Sequence, residues 1–198
     1  MKKTIFITLA IFLSMGLSAQ SFGLKGGMSH AKVLGGDTGD GIDAVTGVVF
    51  GMFTQSGDDA IRYTTELNFI RKGFGSSNNS NYYDYSLTQE WLMNYIDLAF
   101  MGNFHITDEF AINAGPYLGY ALSGKMKVSS NGQSQSQSID DWDGYNRIEV
   151  GGAVGVSYWI NDMLFVDGRY AYGFTSILED IDSYNGVIQV SVGYLFSY

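Results

Sequence analysis

Residues 186–198 keep a two-residue beat, with Val190, Val192, Tyr194, Phe196 and Tyr198 on one parity and Gln189, Ser191, Gly193, Leu195 and Ser197 on the other. Alternate residues of a strand face opposite sides of a sheet, so this segment has one apolar, aromatic face and one mostly small or polar face. The beat recurs upstream. Ile148, Val150, Val154, Val156, Tyr158 and Ile160 oppose Arg147, Glu149, Gly151, Ala153, Gly155 and Ser157. Leu164, Val166, Tyr170, Tyr172 and Phe174 oppose Asp167, Arg169, Ala171, Gly173 and Thr175. Ile61, Tyr63, Thr65, Leu67 and Phe69 oppose Arg62, Thr64, Glu66 and Asn68. Ile96, Leu98, Phe100 and Phe104 alternate with Tyr95, Asp97, Ala99 and Asn103, and Phe110, Ile112, Ala114, Leu118 and Tyr120 with Asn113, Gly115, Tyr117 and Gly119. Segments 22–30 and 44–55 fit as strands with looser parity, which brings the expected total to about eight antiparallel strands.

Parity does not say which face points inward. The charged residues Arg62, Glu66, Asp97, Arg147, Glu149, Asp167 and Arg169 all share the face that carries the small residues. A solvated face has no need to be small, whereas the interior of a narrow barrel must alternate small and large groups. Composition agrees: Gly 26 against Pro 1, with aromatics at 15 %, suits tightly packed strands. The expected fold is therefore an all-β, eight-stranded, up-and-down transmembrane barrel, with apolar residues toward lipid and the seven charged residues as a polar lumen network. Opposite charges can pair there, which a buried charge requires. Tyr63, Phe104, Phe110, Tyr158 and Tyr172, at strand ends, suit aromatic girdles.

The N-terminus has the form of a secretory signal. Lys2 and Lys3 precede an apolar run over 4–17 and then Ser18-Ala19-Gln20. The run is shorter than the ~20 residues of a spanning helix. Cleavage after Ala19 divides the chain into a signal peptide, 1–19, and a barrel domain, 20–198, and takes the formal charge from −9 to −11. That balance excludes a nucleic-acid surface, which needs clustered Lys and Arg. Cys 0 removes disulfides, thiol nucleophiles and thiolate metal sites.

Short links near 56–59, 107–109 and 161–163 alternate with longer ones near 31–43, 75–90, 124–146 and 176–185. Short turns on one rim and long loops on the other are the outer-membrane pattern, with both chain ends on the periplasmic side. Pro116 lacks a ladder donor, so a bulge or kink is expected there.

From Phe22 onward the chain resembles the PorT-like outer-membrane β-barrel family of Bacteroidetes-type bacteria. The resemblance is carried in order by Phe22-Gly23-Leu24-Lys25-Gly26-Gly27, Met93-Asn94-Tyr95-Ile96-Asp97-Leu98, Ala114-Gly115-Pro116-Tyr117-Leu118-Gly119, Phe165-Val166-Asp167-Gly168-Arg169-Tyr170 and Val192-Gly193-Tyr194. The family commonly has Glu-Ile-Pro where this chain has Asp97-Leu98-Ala99, a departure that keeps the strand parity. The resemblance implies an eight-stranded barrel in the outer membrane. It also suggests a role as an accessory factor in protein secretion, and a terminal strand (Val192, Tyr194, Phe196, Tyr198) of the kind that barrel-assembly machinery reads.

Chemistry-bearing residues are sparse. His30 and His105 are the only histidines and stand at no fixed spacing from a carboxylate or serine, as a catalytic constellation would need. Asp37, Asp40 and Asp43, with Asp140, Asp141 and Asp143, are oxygen donors in two loops, but neither group has EF-hand spacing. Gly39-Asp40-Gly41 and Asn131-Gly132 are turn signals rather than phosphate cradles. The polar run 129–138 reads as a mobile loop, and Tyr82, Tyr83, Tyr85 and Trp142 give the loops aromatic contact groups. No catalytic residue, cofactor or metal is expected. The leading expectation is a non-enzymatic outer-membrane platform with acidic external loops; its partners are outer-membrane lipid, the assembly machinery and a protein met through the loops. A secretion accessory, an enzyme in the barrel wall and a soluble periplasmic carrier with an apolar cavity are the other readings.

Overall fold

The computed structural model describes residues 21–35, 42–80, 85–130, 133–139, 142, 144–178 and 181–197. The expected signal peptide, most of the loop aspartates, Tyr82, Tyr83 and the terminal Tyr198 lie outside them. Nine strands follow in order: β1 (Ser21–Leu34), β2 (Ile42–Gly57), β3 (Ile61–Ser80), β4 (Tyr85–His105), β5 (Phe110–Ser130), β6 (Gln133–Ile139), β7 (Ile148–Trp159), β8 (Leu164–Gly173) and β9 (Tyr184–Ser197). The sheet order is β4-β3-β2-β1-β9-β8-β7-β5-β6, and an additional β4–β5 pairing closes the ring. Eight strands make the barrel. β6 lies alongside only the upper part of β5 (Gly124–Ser130), above the stretch where β5 pairs with β7. Closure leaves no edge within the barrel wall.

The outward positions are apolar. Met28, Phe50, Phe104, Leu118, Val154 and Val190 are all well exposed on the outer wall. Inward positions near the middle of the strands are mostly small, polar or charged, with Ser29, Glu66, Asp97, Glu149 and Asp167 buried, and apolar side chains fill the inside toward both ends. This is the reverse of a soluble carrier, whose exterior is polar.

One rim carries the tight connections 58–60, 106–109 and 160–163, and each is fixed by its own polar side chain. Asp58 Oδ1 accepts from the amides of Ala60 (3.1 Å) and Ile61 (2.8 Å). Thr107 Oγ1 accepts from Phe110 N at 3.0 Å. Asn161 Oδ1 accepts from the amides of Met163 (2.9 Å) and Leu164 (2.8 Å). Asp, Asn and Thr close turns in this way because their side-chain oxygens reach amides two or three residues on. Both described chain ends are on this rim, where Ser21 stands opposite Ser197.

Three local expectations are corrected. β3 and β4 extend into the region assigned to a long loop, reaching Ser80 and starting at Tyr85, and pair without a register shift along the whole hairpin. The Ser/Gln run is strand rather than loop, divided between the end of β5 and β6; an antiparallel ladder needs only backbone donors and acceptors, and polar side chains tolerate exposure on both faces. Pro116 does not shift the register. It faces Gly152 on β7 in an unbroken ladder, and on the β4 side the pairing resumes in the same register. The irregularity lies further along, opposite Asn94 and Tyr95, where Leu122 is passed over between Ala121 and Ser123.

Candidate functional site

Among the described residues, buried charge gathers in the lumen, packed among other side chains. Near the turn rim, Phe53, Trp159, Phe165 and Leu195 form an apolar floor. Phe53 meets Phe165 edge-on with centroids 5.6 Å apart, and Trp159 lies 4.6 Å from Phe165. Room for these rings comes from glycines on neighbouring strands. A Cβ on Gly23 would overlap the Phe53 ring, and one on Gly193 the Phe165 ring.

Above the floor stands a first ionic cluster. Glu66 on β3 accepts from Lys25 Nζ at 2.6 Å and from both terminal nitrogens of Arg169, at 2.9 and 3.1 Å. Asn68 Nδ2 adds a fourth donor at 3.0 Å. Arg169 also pairs with Asp167 at 3.3 Å. The other oxygen of Asp167 accepts from Asn113 (2.8 Å) and Ser157 (2.9 Å). β1, β3, β5, β7 and β8 are thus joined through the interior as well as around the wall.

A second cluster follows toward the other rim. Lys72 Nζ lies 2.9 Å from Asp97 and 2.8 Å from Glu149. Its ammonium also faces the rings of Tyr95 and Tyr117 at 4.6 and 4.7 Å. Tyr117 Oη and Asn185 Nδ2 both donate to Glu149. The two clusters together oppose three cations, Lys25, Lys72 and Arg169, to four carboxylates. A gap of about 10 Å³ bordered by Asn68, Asp97, Tyr117 and Arg169 lies beside them, room for one water molecule.

The second rim is covered from inside. Val33, Val45, Ile70, Met93, Ala121 and Val187 are buried above the second cluster. The connection between β8 and β9 folds over them and buries Ile177. It is held by Ser176 and Ser183, with Ser176 Oγ donating to Ile181 O at 2.6 Å and Ser183 Oγ accepting from Leu178 N at 3.1 Å. Trp142 and Tyr145 pack against this cap.

Of the seven charged residues read as a lumen network, Glu66, Asp97, Glu149, Asp167 and Arg169 come together in these clusters. Arg62 and Arg147 do not. Arg62 sits at the turn rim, 3.9 Å from Asp59 and over the Trp159 ring, because it is the second residue of its strand. Arg147 precedes the first residue of β7, donates to Ala121 O at 2.9 Å and lies between the rings of Tyr120 and Trp142. Lys25 and Lys72 supply the missing cations. Lys25 could have been found from the spacing of Gly23, Lys25, Gly27 and Ser29, and Lys72 by continuing the parity of Glu66 and Asn68 past Phe69.

The histidines do not meet the carboxylates. His30, on the outer wall, hydrogen-bonds Thr46 Oγ1 at 3.3 Å, and His105 packs near Trp159 with centroids 6.2 Å apart. Of the six aspartates read as loop oxygen donors, Asp43 is the one among the described residues; it lies at the start of β2 and accepts from Ser77. Among the described residues no three His, Asp or Glu side chains gather as metal ligands. Of the terminal strand, Val192, Tyr194 and Phe196 face outward, and Tyr194 and Phe196 pack at 5.0 Å.

A family model described as outer membrane protein beta-barrel domain matches residues 18–179. Among solved structures, the chain is similar to Ail, the attachment invasion locus protein of Yersinia pestis, at 17 % identity and a TM-score of 0.53, covering 90 % of this chain and 99 % of that one. It is similar to Neisserial surface protein A at 15 % identity and a TM-score of 0.54, covering 88 % and 97 %. At these identities the likeness concerns the fold. No curated protein matches the chain.

Proposed function

The chain belongs to the outer membrane protein beta-barrel domain family, and from that membership we propose that it is a closed, non-enzymatic barrel of the outer membrane, a rigid platform that presents its long connections outside the cell. The observation that supports this most is the blocked lumen. Among the described residues, aromatic rings at one end, the Ile177 cap at the other and two ion-paired clusters between them fill the lumen. Charges spent on pairing in this way stiffen the wall rather than conduct or catalyse. A rigid barrel is the kind of scaffold on which exposed loops carry binding.

The test is reconstitution of the mature chain in planar bilayers, alongside its migration on a gel before and after boiling. A folded band that shifts on boiling, with no unit conductance steps, is the expected result. Regular conductance steps from the folded protein would overturn the closed-platform reading.

A secretion accessory role is the second reading, suggested by the likeness to PorT-type barrels. It is favoured by a cleft of about 320 Å³ on the turn rim, lined by Gln55, Asp58, Asp59, Arg62 and Asp162, where a periplasmic partner could dock. Deletion of the gene followed by an inventory of surface proteins separates the two: a platform alone leaves that inventory intact.

A further inference from the structure

The end of the barrel that bears the long connections carries positive charge that no described carboxylate balances. Nine lysines and arginines lie among the described residues, in a chain whose formal charge is −9. Five of them meet a carboxylate: Lys25, Arg62, Lys72, Lys127 and Arg169. The four that meet none among the described residues are Lys32, Arg71, Lys125 and Arg147, and all four lie toward the ends of their strands that bear the long connections. Lys32 follows the outward Leu24 and Met28 on β1, Arg71 follows Leu67 and Phe69 on β3, and Lys125 follows Leu118 and Tyr120 on β5. Arg147 comes immediately before the outward Ile148. All four therefore lie beyond the apolar band, toward the rim of the long connections, with Lys125 two residues further out than the β5 position level with Arg71.

One of these cations, Arg71, is held in a hydrogen-bonded row across adjacent strands, with two others nearby. Arg71 Nε donates to Asn94 Oδ1 at 3.0 Å, and Asn94 Nδ2 donates to Ser123 Oγ at 3.0 Å. These are cross-strand neighbours, Arg71 opposite Asn94 and Asn94 opposite Ser123. Lys125 is the next residue of the same parity beyond Ser123 and is exposed. Arg147 is held close by, its guanidinium between the Tyr120 and Trp142 rings. Strands lie about 4.8 Å apart, so the row from β3 to β5 spans roughly 10 Å, within reach of long cationic side chains from both ends.

We propose that Arg71, Lys125 and Arg147 bind the phosphate groups of an anionic glycolipid in the outer leaflet, with Asn94 and Ser123 orienting Arg71. The proposal rests on the barrel standing in the outer membrane with its long connections outward. At that depth the outer wall meets lipid headgroups, and cations there pair with anionic headgroup oxygens through charge-assisted hydrogen bonds. Cations that meet no carboxylate among the described residues, on the rim of the long connections, match a wall built for an anionic partner supplied by the membrane.

The test uses the full mature chain folded into phosphatidylcholine vesicles containing dansyl-labelled diphosphoryl lipid A or its dephosphorylated form. Energy transfer from tryptophan reads enrichment of the lipid beside the protein. The diphosphoryl lipid should be enriched at least tenfold over the dephosphorylated one. The triple variant Arg71→Gln/Lys125→Gln/Arg147→Gln should lose roughly a hundredfold in lipid affinity, about fivefold for each cation, while Lys127→Gln, whose lysine pairs with Glu90, should change nothing. Equal enrichment of the two lipids, an unaffected triple variant, or displacement of the lipid by equimolar inorganic phosphate would each overturn the proposal. The boiling shift on gels shows whether each protein is inserted. Where the triple variant does not insert, Lys125→Gln alone decides, with a fivefold loss expected and no loss overturning. A wild-type chain that never shows the shift would instead sink the barrel platform itself.

Discussion

Arg169 and Glu66, 103 positions apart in sequence, face each other across the lumen with both terminal guanidinium nitrogens on the one carboxylate. The pair ties β8 to β3, strands that do not neighbour each other in the sheet, and draws Lys25 of β1 into the same site. Glu66 thus accounts for the charge of two buried cations. Removing it leaves Lys25 unpaired and Arg169 with Asp167 alone in a water-poor interior, where a broken buried pair costs about 3–5 kcal/mol. Glu66→Ala should therefore lower the stability of the folded barrel by at least that range, read from urea unfolding in vesicles. A loss below about 1 kcal/mol would show that water replaces the carboxylate freely.

The second cluster makes a differential expectation. Lys72 is the single cation between Asp97 and Glu149. Lys72→Met leaves two carboxylates facing each other and should cost about 3–5 kcal/mol. Glu149→Gln leaves Lys72 and Asp97 as a one-to-one pair, and the new amide oxygen can still accept from Tyr117, while its NH2 takes the place of the oxygen that Asn185 donated to and can meet the Asn185 side-chain oxygen once that amide turns over. That variant should cost clearly less. The same unfolding experiment ranks them, and a reversed order would contradict the charge count.

The parity of the strands already carried the inside–outside assignment, because lipid selects apolar side chains at every second position along the band. The selection stops where the band stops. Beyond Phe69 the outward residue is Arg71 and the inward one is Ile70, so the apolar-out rule inverts, and the sequence pattern gave no reason to continue β3 through Lys72 to Ser80. Arg62 and Arg147 have inward parity but lie at strand ends, where long side chains bend to a rim and parity no longer governs position. The pairing of Lys25 with Glu66 spans 41 positions and depends on barrel closure, which local spacing does not encode.

The aromatic floor depends on absent side chains. Gly23→Ala should cost about 1–3 kcal/mol through overlap with the Phe53 ring. In a Phe53→Leu background, the smaller side chain removes most of that overlap. A double-mutant cycle over these two positions should therefore show a coupling of at least ~1 kcal/mol. Strict additivity would mean that the ring moves aside without strain.

Finally, the outer wall can be tested against the inner one. Val190 lies in the middle of β9, half exposed on the outer surface, opposite Met28 of β1 and Gly168 of β8. In a lipid-facing wall its replacement by lysine places a charge near the bilayer midplane, at a cost of about 2–4 kcal/mol. The same lysine at Ser134, on the exposed β6, should stay within about 0.5 kcal/mol of the parent. The comparison uses one residue type and one unfolding assay, so helix or strand propensity and lysine's own flexibility largely cancel. In detergent or short-chain lipid, where the apolar layer is thin and the lysine stem can reach water, the Val190→Lys cost should shrink. A cost that is equal at the two sites, or indifferent to lipid length, would mean that the apolar band does not face hydrocarbon, and the burial of charge in the lumen would then need another cause.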